Sequence, residues 1–387
     1  MDALEVRPSP YSTVSPAHLL GTEPDGAPSR LRTPGGEGGR RLDDLVGSAP
    51  YDALGRRVAA RFGPRLPFRL GLLAADRASA LQVRPRPHLA RAGYHREVRA
   101  GRPVGHPRRS FPDDRHGPRM IVALGRFEAL AGFRDPRSAL GLLDGLDAVL
   151  VDAVRAALAE RPSAAGVRAA VEALLAARTS PTRAADVAAA VGAVARRHRA
   201  GDAGTSRADA TVLALAEQHP GDPGALAPLL LHHVTLEPGE ALYVPAGELH
   251  ASLGGSGVEV SAASGTVLRG GLTTAHVDAA ALLECSSFVP RPPARPATAV
   301  TGRQSVVVTY RAPAEELALT SARVVPGEPV ALAADGPRVV RALDGDARLL
   351  TAAGELALGR GESCFVPDAA GPLAVDGAAH VVCAWVP

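Results

Sequence analysis

LEPGEALYVPAGELH, residues 236–250, is the stretch on which the fold turns. Apolar and polar residues alternate through it with a period of two, and PGE and PAG interrupt the alternation as turns, so it reads as strand, turn, strand. A second stretch, LGRGESCFVPDA at 358–369, has the same spelling: both read L-x-x-G-E-x-x-x-V-P. Two β units sharing one turn-strand signature point to an internal duplication. Gly-Glu turns before strands are common, so the repeat alone leaves an unrelated origin open.

The first copy goes further than the second. From Gly239 the chain continues to Pro245, Gly247 and His250, a G-x5-P-x-G-x2-H spacing. This resembles the second of the two cupin motifs, in which a tight hairpin aims one His into a barrel. The second copy keeps Gly361 and Pro367 but has no His after them. The resemblance implies a C-terminal barrel without metal ligands.

Outward from these motifs the character of the chain changes several times. Residues 1–66 are rich in Gly, Pro and Arg, and the run TPGGEGGRR at 33–41 reads as a loop. LPFRLGLLAA (66–75) and LQV (81–83) read as two strands, and MIVALGRFEALAGF (120–133) is a further apolar stretch. From 137 to 231 apolar residues recur at spacings of three and four, as in LDAVLVDAVRAALAE, which predicts four or five helices. From 233 onward short strands alternate with Gly, Pro and Asp, and RPPARPATAV (291–300) reads as a linker because Pro cannot donate to a sheet ladder. The expected fold is mainly β with an α insertion: duplicated cupin (jelly-roll) barrels plus a helical domain. The expected division is 1–136 with 232–290 for the first barrel, 137–231 for the helical insertion and 291–387 for the second barrel.

Composition excludes several functions. Over 387 residues the net charge is only +3, and all 43 basic residues are Arg, spread along the chain rather than massed among aromatics. That gives no footprint for nucleic acid, and any anion site must use Arg, His or backbone donors. No run of about 18 apolar residues is present to span a bilayer, and MDALEVRPSP has no apolar core for a signal peptide. Cys285, Cys364 and Cys383 lack zinc-like spacing and fit a reduced, cytoplasmic protein.

The segments LPFRLGLLAA, LQVRP, FEALAGFRDP, LEPGEALYVPAGELHA and VLRGGLT together resemble type I phosphomannose isomerases over nearly the whole length. That resemblance implies an aldose–ketose isomerase interconverting mannose 6-phosphate and fructose 6-phosphate. It also implies a zinc held by a Gln and a His from a QVHP motif, a Glu from an NHKPE motif, and the cupin His. Here QVHP stands as Gln82-Val83-Arg84-Pro85 and NHKPE as Arg115-His116-Gly117-Pro118-Arg119. Gln82 and His250 are the remnant metal ligands, while Arg84 and Arg119 occupy the other two ligand positions. Three family lysines match Gly71, Gly117 and Ala275, and an Asp-Asn pair matches Gly265-Thr266. Near the N-terminus a YxWGS motif matches Tyr11-Ser12-Thr13-Val14-Ser15. Arg269, the charge-stabilising catalytic arginine by resemblance, is retained, as is Glu259.

Arg stays protonated and donates nothing to a metal. A guanidinium about 4 Å from a unit positive charge costs about 4 kcal/mol at an effective dielectric of 20, and about twice that against a divalent ion. The expectation is therefore a catalytically impaired homologue without tightly held zinc. Its Arg84, Arg119 and Arg269 would line a pocket for a sugar phosphate or another anion, with Glu259 as their ion-pair partner. The alternative is an active zinc isomerase with a reorganised site in which His88, His106 or His116 approaches His250; each of these reads more simply as a surface or loop residue, as His232 and His233 read as packed or solvated.

Overall fold

The computed structural model describes residues 2–5, 19–20, 30–32, 41–201 and 203–387. Tyr11–Ser15 and all but the last residue of the 33–41 run lie outside the described residues. Among the described residues two antiparallel sheets dominate, one of eight strands and one of ten. The mainly β architecture with a helical insertion is as the sequence reading expected.

The first sheet contains the strands Phe68–Ala75, Leu81–Val83, Arg119–Phe133, Leu231–Leu236, Ala241–Val244, His250–Ala262 and Leu268–Gly271. Arg119–Phe133 is long enough to pair with three others, and its partners include Leu242 opposite Ile121 and Glu259 opposite the same residue. The strand faces alternate as the pleat requires. Ile121, Ala123, Phe127, Leu242 and Val244 fill one buried cluster, while Met120, Val122, Val258 and Val260 face the second sheet.

The second sheet runs through Val306–Arg311, Ala318–Val324, Arg338–Thr351, Ser363–Val366 and Ala374–Trp385. Asp2–Glu5 and Arg30–Arg32 also pair here, the former against Ser363–Val366. The predicted linker ends sooner than expected: Ala297–Gly302 is a strand, but an exposed edge strand, the place where neighbouring Pro residues do least harm.

The repeated L-x-x-G-E signature has a shared geometry. Gly239 and Gly361 both adopt positive φ, +87° and +83°. Three residues on from each turn start, Glu240 accepts from the backbone N–H of Glu237 and Glu362 from that of Gly359, both at 2.8 Å. The Gly239 N–H donates to Ala123 O and the Gly361 N–H to Ala342 O, each at 2.9 Å. The Glu closes the turn and the Gly docks it on the long strand.

Between the first sheet's strands Arg119–Phe133 and Leu231–Leu236 lie, among the described residues, five helices, Pro136–Leu143, Val149–Glu160, Ala164–Ala177, Arg183–Ala200 and Ser206–Gln218, followed by the 3-10 turn Pro223–Leu229. In Val149–Glu160 the buried residues Leu150, Val151, Val154 and Leu158 form one stripe, which packs into the largest core cluster. The helices Leu42–Ser48, Pro50–Phe62 and Pro87–Arg99 were not anticipated. Among the described residues no helix is long and apolar enough to cross a membrane.

Candidate functional site

The hairpin after Val244 builds the site. Gly247 has φ +90°, and its N–H donates to Arg84 O at 2.7 Å, which ties Gln82-Val83-Arg84-Pro85 to the hairpin. The strand that follows then starts with His250 directly opposite Gln82. On Gln82's other side stands Arg269. Residues directly opposite on antiparallel strands share a face, so Arg269, Gln82 and His250 form a row. Arg269 is exposed at the edge of the sheet, while His250 is 3% exposed.

Arg119 enters from the start of the strand Arg119–Phe133, 4% exposed. Its Nη2 donates to Glu259 Oε2 at 2.7 Å, and its Nη1 lies 3.3 Å from His250 Nε2. His250 Nδ1 sits 2.9 Å from Glu248 O. Because a carbonyl only accepts, Nδ1 carries the proton and Nε2 presents its lone pair. That lone pair receives the Arg119 guanidinium and, at 3.5 Å, the Gln82 amide. Burial, then the nearby charge of Arg119, pushes the His250 pKa down to about 3, so the ring is neutral.

Arg84 makes a different contact: its Nη1 donates to Ser264 O at 3.1 Å. Its side chain packs on Gly117, where an added Cβ would fall 2.7 Å from Arg84 Cδ and 2.9 Å from its Cβ. Gly117 is thus small enough to admit Arg84. Ser264 in turn donates to Asp113 Oδ1, and Gly265 N donates to Asp113 Oδ2, so the Gly265-Thr266 turn is held by a carboxylate from the loop before Arg119.

A fourth arginine was not singled out from the sequence. Arg69 lies inside LPFRLGLLAA, opposite Ser261, which itself faces Arg119 from the other side. Burial and then the neighbouring charge of Arg84 pull the Arg69 pKa down to about 9, and burial holds Arg84 at about 10. A lone charged residue inside an apolar strand was the available signal. Ser261 Oγ, Arg84 Nε and Arg119 Nε are buried without a hydrogen-bond partner.

The donor set does not fit a four-ligand zinc centre. Among the described residues no three His, Cys, Asp or Glu side chains come together in a metal-binding group. The histidines considered as substitutes are elsewhere. His116 pairs with Glu316 at 2.8 Å, His88 is exposed on its helix, and exposed His106 accepts from the Arg108 N–H. His233 bonds Thr211, and His232 is half-buried on the same strand. Cys285, Cys364 and Cys383 are all buried.

Comparison with known proteins gives one family throughout. Residues 21–136 match the family described as phosphomannose isomerase type I, catalytic domain. The mannose-6-phosphate isomerase of Escherichia coli is 29% identical over 339 residues, covering 87% of this chain and 83% of that protein. Mannose-6-phosphate isomerase 1 of Arabidopsis thaliana is 28% identical, covering 90% and 79%. Among solved structures, a zinc-bound mannose 6-phosphate isomerase superposes with a TM-score of 0.85 at 24% identity, covering 100% of this chain and 99% of the other. A single-residue variant of the Salmonella typhimurium phosphomannose isomerase gives 0.86 at 25% identity, with the same coverage. Sequence motifs, sheet topology and these relatives agree: residues 21–136 match the type I phosphomannose isomerase catalytic domain, and the chain is similar to mannose-6-phosphate isomerases over most of its length.

Proposed function

We propose that this chain is a family member that has exchanged its zinc for a built-in cation and binds an anionic sugar phosphate without isomerising it efficiently. The observation that carries the reading is Arg119, whose guanidinium bridges the one retained imidazole, His250, and the carboxylate of Glu259. A metal at that imidazole would compete with a group that is already bonded and positively charged.

In the family reaction a proton moves between two carbons through an enediol, and zinc, where bound, polarises the carbonyl and stabilises the developing oxyanion. Here the groups that touch a ligand in the site would be donors. Arg84 and Arg119 each keep one unpartnered buried N–H, and Ser261 keeps its hydroxyl. Such groups bind and orient an anion by charge-assisted bonds. No residue among them is placed as a base: His250 has its Nε2 lone pair occupied, and Glu259 is held as the partner of Arg119. Arg269, at the exposed edge beside Gln82, would meet the ligand's outer end.

The test is ligand-dependent melting together with a coupled isomerase assay. Mannose 6-phosphate at 100 times its dissociation constant should add about 2.7 kcal/mol of stability, and Arg84→Ala should remove that gain while turnover stays at background in both proteins. Turnover at the rate of an ordinary isomerase, or no shift with any sugar phosphate, overturns the reading.

A further inference from the structure

The two sheets do not close on each other completely. Beyond the apolar core they share, a cavity of about 350 Å³ opens between them. Its walls are apolar: Val122 and Val258 from the first sheet, Val308, Leu343 and Val382 from the second. Tyr310 Oη donates to Gly239 O at 2.7 Å and pins the repeated Gly-Glu turn of the first sheet across the gap.

The polar end is a single row of side chains. Arg323 lies opposite His380, and His380 lies opposite Asp344 on the next strand, so all three share the face turned to the cavity. Ser321, two residues along the strand from Arg323, has its Oγ 2.8 Å from His380 Nε2. Burial and then the charge of Arg323 hold the His380 pKa below its ordinary value, against Asp344, which acts in the other direction. Asp344 also lies 3.8 Å from Arg360. Arg323 has neither a hydrogen bond nor an ion pair among the described residues.

A pocket of this size, mostly apolar with a few convergent polar groups and placed between two packed units, has the general make-up of a small-molecule site. We propose that it binds a small amphiphilic carboxylate, with the apolar body between the sheets and the carboxylate on the Arg323 fork beside Ser321. One unpaired guanidinium matches one negative charge, and its planar pair of N–H groups suits a carboxylate bidentately. Asp344 on the far side of His380 disfavours a more highly charged head group. The cavity's volume, at the small end of the range for ligand pockets, limits the body to a medium-length chain.

Octanoate is a suitable probe, titrated calorimetrically into the full chain beside 1-octanol and octyl phosphate. Saturable binding of one octanoate per chain is expected, tighter than either comparator. Arg323→Ala, at an exposed position, should weaken it about tenfold or more, because a charge-assisted pair is lost. Val308→Phe should fill the cavity and abolish it. Arg84→Ala should leave it unchanged, since that residue belongs to the other site. The inference is overturned by an absence of saturation at millimolar octanoate, by octanol or octyl phosphate binding as tightly, by indifference to Arg323→Ala or Val308→Phe, or by loss in Arg84→Ala, which would put the acid in the first sheet's interior.

Discussion

Arg119 Nη1 stands 3.3 Å from His250 Nε2 while the other end of the same guanidinium holds Glu259 at 2.7 Å. One side chain therefore satisfies the imidazole lone pair and neutralises the nearby carboxylate, two tasks that a divalent cation performs in a metal centre.

Removing Arg119 alone should be costly. Arg119→Met leaves Glu259 with a buried, unpaired charge, and breaking one side of such a pair costs about 3–5 kcal/mol. Arg119→Met combined with Glu259→Gln should recover a large part of the loss. Chemical denaturation of the two variants checks this, and equal destabilisation by both would mean that the ion pair is not what Arg119 provides.

His250 should stay neutral far into acid. Its folded-state pKa is about 3, below the unfolded value near 6.5, so the unfolded chain binds the extra proton. The contribution of this residue is full above about pH 6.5 and is lost progressively as pH falls from there toward 3. Nitrogen NMR of the imidazole should show the Nδ1–H tautomer unchanged between pH 7 and 5. The Arg119→Met variant should move the midpoint up, since it removes the second cause of the depression. A wild-type midpoint near 6.5 would contradict the burial and charge described here.

Gly117 and Arg84 should be coupled. A Cβ at Gly117 would overlap the Arg84 side chain, so Gly117→Ala should destabilise by about 1–3 kcal/mol through overpacking. In an Arg84→Ala background the same change should cost much less, giving a coupling energy of about 1 kcal/mol or more in a double-mutant cycle. Strict additivity would show that the two replacements are independent.

The two Gly-Glu turns should behave alike. Glu240→Ala and Glu362→Ala each remove a carboxylate acceptor from a turn N–H, and each should cost about 0.5–2 kcal/mol. A large effect at one and none at the other would argue against a shared structural role.

How much of this was readable beforehand follows from the range of the interactions involved. The 236–250 hairpin and its echo at 358–369 were legible because Gly at positive φ and a Glu three residues after the turn start act locally. The helical insertion was legible through its stripe of apolar residues. Leu42–Ser48 and Pro50–Phe62 were not, because Gly55 interrupts the second helix at φ +76° and the pair is held by burial of Leu42, Val46, Leu54 and Val58 in the core between the sheets. At the site, His250 was named from the spacing of its motif and Gln82, Arg84 and Arg119 from the family resemblance, but the pairing of Arg119 with His250, 131 residues on, depends on sheet register. Arg69 was hidden in an apolar strand, and Ser321 with His380 come together only across the ladder of the second sheet.

Elemental analysis of protein purified without chelators is the most direct measurement, with the Arg84→His/Arg119→Glu double variant alongside. Wild-type protein should carry far less than one zinc per chain, and the double variant, with imidazole and carboxylate restored beside Gln82 and His250, should gain metal. One tightly held zinc in the wild-type chain would show that the guanidinium of Arg119 does not take the place of the cation.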